Sequence, residues 1–227
     1  MCWCTWPPTS TEPVVPNRAT TERPPMTSPN SSTTSAVLVI DMQNDTVHPN
    51  GAYASTGAAD HATAQNVVEN VRSVVDAARD AGTPVFYSRI IVYPQPGLSG
   101  SNAPIFRMLA PDTFTLGSWG AQIVDELTPV DGDIVLDRTR MSVFNGTGID
   151  NMLRNLGVRT LLVVGAWTNM AVEHTIRDAA DYGYEVTIVT DATSSLSAEW
   201  QDAAVGFALT NIATASDTAT VTATLRS

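Results

Sequence analysis

The residues best suited to chemistry stand just after apolar runs. Asp41 ends Ala36-Val-Leu-Val-Ile-Asp41 and opens Asp41-Met-Gln43-Asn-Asp45. A carboxylate at the end of a run that belongs inside a protein is costly unless paired or neutral. Asp41 is therefore a candidate acid or base, the alternative being an ordinary turn or N-cap carboxylate. A second apolar run leads into Arg138-Thr-Arg140-Met-Ser142, whose arginines could hold carboxylates or simply lie on the surface. A third leads into Gly165-Ala-Trp167-Thr168-Asn169-Met170-Ala171. Gly165 permits close backbone approach. A helix starting near residue 170 would aim its free N–H groups and positive dipole end at the same place. Brought together, these three segments make one pocket with a carboxylate, a cation and backbone oxyanion donors.

The intervening pattern says what would bring them together. Residues 36–41 form a β-branched run typical of a strand buried on both faces. Val67, Val71, Val74, Val75 and Ala78 recur at helical spacing within 60–81, before Gly82. Strands are expected at 84–88, 133–137, 160–165, 185–190 and 212–215, and helices at 119–127, 147–156, 170–182 and 198–209. Residues 93–118 read as a loop. Strands alternating with helices imply a parallel sheet covered on both faces, with ligands beyond the carboxyl ends of its strands. The segments to inspect are thus 41–45, 88–92, 137–142, 165–171 and 191–195.

Composition narrows the chemistry. All 12 basic residues are arginine, so lysine Schiff bases and lysine general bases are excluded. A net charge of −11 with no basic run argues against a nucleic-acid partner. Cys2 and Cys4 are the only cysteines, and their spacing suits neither a disulfide nor a zinc site. Residues 1–35 hold 7 of the 14 prolines and 13 serines or threonines, which reads as a disordered leader, with Met26 an alternative start. It contains no apolar segment for a signal peptide or anchor. The expectation is one folded domain, 36–227, in a cytoplasmic protein without membrane association.

Three blocks, VLVIDMQND, DRTRMSVFNGTGIDNMLRNLGV and LLVVGAWTNMAVEHTIRDAADYGYEVTIVTDA, closely resemble the isochorismatase-like hydrolases, also called the cysteine hydrolase superfamily. The likeness runs from about 36 to 215. It implies a three-layer α/β/α fold on a six-stranded parallel sheet of order 3-2-1-4-5-6, a small-molecule substrate and a homo-oligomer. For the amide-cleaving branch it implies an Asp–Lys–Cys triad. Asp41 matches the aspartate, Arg138 takes the lysine position and Ala171 takes that of the cysteine nucleophile. A methyl group cannot attack a carbonyl. Thr168, Ser142 and Thr175 are nearby hydroxyls lacking an evident base, and His174 is expected to face away from 171. Metal-binding members use Asp-x-His after strand two. Here that stretch is Ser88-Arg89-Ile90, so neither a metal nor a cofactor is expected.

Two readings follow. In the first, the chain hydrolyses an enolpyruvyl (vinyl) ether such as isochorismate without a cysteine, and Asp41 protonates the substrate. Arg138 and Arg89 would anchor carboxylates, Gln43 would orient, and Trp167 would pack a ring. Ala171 resembles the small residue of vinyl-ether-cleaving members. An arginine beside Asp41 opposes its protonation, so burial must outweigh it. In the second, an amide or ureide hydrolase resembling nicotinamidase or N-carbamoylsarcosine amidohydrolase has lost its nucleophile and retains binding. Thr168-Asn169-Met170 is the amidase-like form of this block.

Overall fold

The computed structural model describes residues 35–109 and 112–227. The proposed leader, except for Ser35, lies outside the described residues, as do Cys2 and Cys4. The β-branched run forms β1 (Ser35–Ile40). It is followed in chain order by β2 (Val85–Ile90), β3 (Ile134–Arg138), β4 (Thr160–Ala166), β5 (Glu185–Ser194) and β6 (Thr214–Ser216). All pair in parallel in the order β3-β2-β1-β4-β5-β6, the topology expected from the resemblance.

Eight helices accompany them among the described residues: α1 (Asn44–Val47), α2 (Ala58–Ala64), α3 (Val67–Asp80), α4 (Pro104–Arg107), α5 (Ile149–Asn155), α6 (Glu173–Asp181), α7 (Ala198–Ala203) and α8 (Thr218–Leu225). Alternation along β1 divides the core. Ala36, Leu38 and Ile40 pack with Ile149 and Leu153 of α5 and Ile176 and Ala179 of α6. Val37 and Val39 pack on the other face with Val67, Val71 and Val74 of α3 and Val221 of α8. Each fully buried Val, Leu or Ile among them contributes about 1.5–3 kcal/mol of transfer free energy. None of the described helices is long and apolar enough to cross a membrane.

Several elements differ from the sequence expectation. The helix expected over 60–81 is two helices, α2 and α3, separated at Gln65-Asn66, where Asn66 takes φ +54°. Asparagine tolerates that left-handed conformation. The corner is held to β5, since Gln65 Nε2 donates to Thr193 O and Asn70 Nδ2 to Asp191 O. Residues 119–127 do not form a helix, apart from a 3₁₀ turn at 125–127. Their backbone groups are used by the segment after β1 instead: Asn44 N–H donates to Gln122 O, Asp45 N–H to Gly120 O, and Val124 N–H to Met42 O. The helix expected over 170–182 begins as a π-type turn, Thr168–Val172, and becomes regular only in α6. That expected over 198–209 likewise ends as a π-type turn after α7. Helix α8 was not anticipated, because Thr-Ala-Thr-Val-Thr-Ala-Thr reads as extended chain. Asp217 caps it, accepting the Thr220 N–H at 2.7 Å.

Candidate active site

β1, β2 and β3 are adjacent, so their carboxyl ends lie side by side. Asp41 follows β1 directly, with φ +49° and its N–H donating to Ser88 O at 2.9 Å. Arg138 ends β3 and reaches past the end of β2. Its Nη1 donates to Asp41 Oδ1 at 2.8 Å and its Nη2 to Asp41 Oδ2 at 2.7 Å. Nε and Nη2 also donate to Met141 O, at 3.2 and 2.9 Å. Both side chains are buried, the arginine completely. Lysine cannot reproduce this fork, because an ammonium cannot span two carboxylate oxygens with parallel bonds. Burial pushes the Asp41 carboxyl above its ordinary range, and the opposing pull of Arg138 does not cancel it.

On the other side of the site, Gly165 has φ +115°, and a Cβ there would collide with the Ile40 carbonyl oxygen. Only glycine lets β4 approach β1 this closely. The chain then passes through a cis Ala166–Trp167 peptide into the π-type turn that carries Ala171. Asp41, Trp167, Met170 and Ala171 line one cavity of about 110 Å³. Its other walls come from segments after β1 and from the long 91–118 connection. Tyr53 stacks on Phe114, with centroids 5.5 Å apart at 14°, and meets Trp167 edge-on, at 5.5 Å and 80°. Ile105, Phe106 and Met108 add an apolar side. Thr46 Oγ1 and Trp167 Nε1, both on cavity-lining residues, are buried without a hydrogen-bond partner among the described residues.

Other residues expected at the site are placed elsewhere. Gln43 is not a cavity wall: its Nε2 donates to Ile90 O and Ala121 O, and its Oε1 accepts the Ile90 N–H. An amide whose groups are engaged by backbone holds strands together and has nothing left for substrate. Arg89 is not a cavity wall either, because it forms a bidentate pair with Asp137 on β3, at 2.7 and 2.9 Å. Thr168 is fully buried behind the cavity, and Asn169 Oδ1 accepts from Ser195 Oγ. Ser142 Oγ accepts the Phe144 N–H, while Thr175 Oγ1 donates to Ala171 O and accepts the Val143 N–H. His174 Nδ1 faces Met170 O at 2.9 Å and lies outside the cavity.

Tyr53, Thr46, Phe114 and Ile105 were not singled out from sequence. They lie in loops or in the four-residue helices α1 and α4, too short for periodicity, and the only signal was aromatic residues within a Pro- and Gly-containing connection. Among the described residues no group of three or more His, Cys, Asp or Glu side chains is arranged to hold a metal ion.

A doubly covered parallel sheet with a buried carboxylate and an apolar cavity at its carboxyl edge defines a small-molecule α/β protein. Residues 35–220 match the family model described as Isochorismatase domain, and the chain belongs to the isochorismatase-like hydrolase family. It is similar in structure to a cysteine hydrolase from Pseudomonas syringae pv. phaseolicola 1448A, with 28% identity, 85% of this chain and 92% of that chain covered, and a TM-score of 0.72. An isochorismatase family protein from Desulfovibrio vulgaris subsp. vulgaris str. Hildenborough matches at 27% identity over 86% of this chain and all of that one, with a TM-score of 0.74. An N-carbamoylsarcosine amidase from Thermoplasma acidophilum matches at 28% identity over 82% and 97%, with a TM-score of 0.66.

Proposed function

We propose that this chain hydrolyses a small enolpyruvyl (vinyl) ether, such as isochorismate, without a covalent enzyme intermediate. One observation carries the reading. The carboxyl lining the cavity is pushed up by burial, and the family's nucleophile position on the same cavity holds the methyl of Ala171. An enol ether needs an acid and water, not a nucleophile. Asp41 gives its proton to the terminal methylene carbon, and the ether oxygen stabilises the resulting oxocarbenium. Water adds to the ether-bearing carbon of that cation and returns a proton to Asp41. The hemiketal then collapses to an alcohol and a ketone, pyruvate in the case of isochorismate. Arg138 tolerates the change of charge, because Met141 O already accepts from Nη2 and remains a partner when Oδ2 takes the proton.

Amide or ureide recognition is a second reading, favoured by the Thr168-Asn169 sequence and by likeness to the amidase. There Asp41 would accept an N–H, and Ala171 would mark a lost nucleophile.

The test is a paired assay of wild type, Asp41→Asn and Ala171→Cys against isochorismate, nicotinamide and ureides. The first reading expects pyruvate from wild type, none from Asp41→Asn, and little change in Ala171→Cys. Amide cleavage gained by Ala171→Cys, on the order of 10³-fold over an inert wild type, would replace it with the second. Inertness of all three on every substrate would leave a binding protein.

The same proposal includes a homo-oligomer in the cytoplasm. Exposed Trp200 and Phe207 offer apolar surface for self-association, which light scattering measures. It also includes a leader that the hydrolase domain does not need, so removing residues 1–34 should leave the melting temperature unchanged.

A further inference from the structure

Among the described residues the cavity carries no cation free to meet a carboxylate. Arg138 is committed to Asp41 and Arg89 to Asp137. A second concavity, an open groove of about 500 Å³, adjoins it and shares Ile105, Phe106, Met141 and Met170 as walls. Its lining includes Arg140 and His174 and no acidic residue, in a chain whose net charge is −11. The guanidinium of Arg140 lies 5.0 Å from the Phe106 ring centroid, and Nη1 donates to Asn102 Oδ1 at 3.1 Å. A Cβ at Gly100 would strike this guanidinium, so glycine leaves room for it. Among the described residues no carboxylate pairs with Arg140. Asp178 accepts from the side-chain amide of Asn145, a groove residue, at 3.0 Å. A neutral amide, an aromatic face and a glycine thus position a cation without neutralising it. His174 adds a second imidazole nitrogen to the groove, since its Nδ1–H is directed at Met170 O.

We infer that this groove is the anion subsite of the active site: Arg140 holds a carboxylate of the substrate at the mouth while the apolar part enters the cavity beside Asp41. The inference rests on the proposed function in locating the substrate at that cavity, and it gives the group recognised at its mouth, a carboxylate of the substrate. It also moves the carboxylate anchor from Arg138 and Arg89 to the second arginine of the Arg138-Thr-Arg140 turn. Arg140 acts in specificity, with no part in proton transfer.

The test uses 3-phenylpropionate and its uncharged amide, 3-phenylpropanamide, as probes in calorimetry on the full chain. Wild type should bind the acid about tenfold more tightly than the amide, the scale of a hydrogen bond to a charged group. High salt should erode that preference. Arg140→Gln should abolish it and leave the amide's affinity unchanged, while Arg140→Lys should restore part of it. Arg140 is exposed, so neither variant endangers folding. Equal binding of the two probes by wild type, or equal weakening of both by Arg140→Gln, would overturn the inference. Failure of the hydrolysis assay alone would leave the acid preference intact, so the two proposals fail separately.

Discussion

Arg138 gives both terminal nitrogens to one carboxylate and makes two further bonds to its own turn, all within a buried setting. Removing one partner of such a pair strands the other charge. Arg138→Met should therefore cost about 3–5 kcal/mol in urea unfolding, and adding Asp41→Asn to it should recover much of the loss. Equal losses in the single and double variants would mean that the ion pair is not what the arginine supports. The places of Asp41 and Ala171 on one cavity were legible in sequence, the first from its position at a strand end and the second from the family resemblance. The spans of Gln43 and Arg89 were equally legible, but their partners were not. Which carboxylate or carbonyl lies opposite depends on register across strands, and Arg89 meets Asp137 only because β2 pairs with β3 in that register.

Asp45, four residues beyond Asp41, organises the elements above the cavity. Its Oδ1 accepts the Ala52 N–H at 3.1 Å, and its Oδ2 accepts the Phe114 N–H at 2.8 Å. A Cβ on Gly120 would strike the same carboxylate. One buried side chain thus fixes the segments bearing Tyr53 and Phe114. Asp45→Ala should lower stability by about 1–3 kcal/mol through the unpaired N–H groups. It should also raise KM for the cavity's substrate more than it lowers kcat, because the aromatic wall loosens while Asp41 and Arg138 stay in place. An unchanged KM would show that the wall is held by packing alone. These loops escaped sequence reading because their order comes from one tertiary hydrogen-bond hub.

At the scale of the molecule, the sheet order followed from the family resemblance, and the two-faced core from apolar runs alternating with helical spacing. Helix α8 and the break at Asn66 did not. Both depend on capping or long-range bonds that override β-branched propensity or helical periodicity. A pH dependence belongs to this scale too. Burial holds the His61 imidazole below its ordinary value of 6.5. Its Nδ1 accepts the Ser195 N–H at 3.3 Å, which an imidazolium cannot do. The unfolded chain then takes up a proton near pH 6.5 while the folded chain resists. The stability from this group is complete above pH 6.5 and declines as pH falls below it. Asp41, raised by burial, contributes with the opposite sign from its ordinary 3.8 upward, so the contrast between wild type and His61→Gln isolates the histidine. The variant should show a shallower fall in melting temperature from pH 7.5 to 5.5, and parallel curves would refute the assignment.

The bond between Asp41 and Arg138 spans 97 residues of chain. Synthesis proceeds from the amino end, so the ribosome delivers the central strand and its aspartate long before their guanidinium. β4, on the other side of β1, emerges later still, and with it the turn that carries Ala171. A nascent chain halted ahead of residue 138 holds an acid with no counterion and a strand with one neighbour missing. The central strand is made before every other strand yet gains its second neighbour only with β4, and chaperones that shield apolar chain would meet it during that interval.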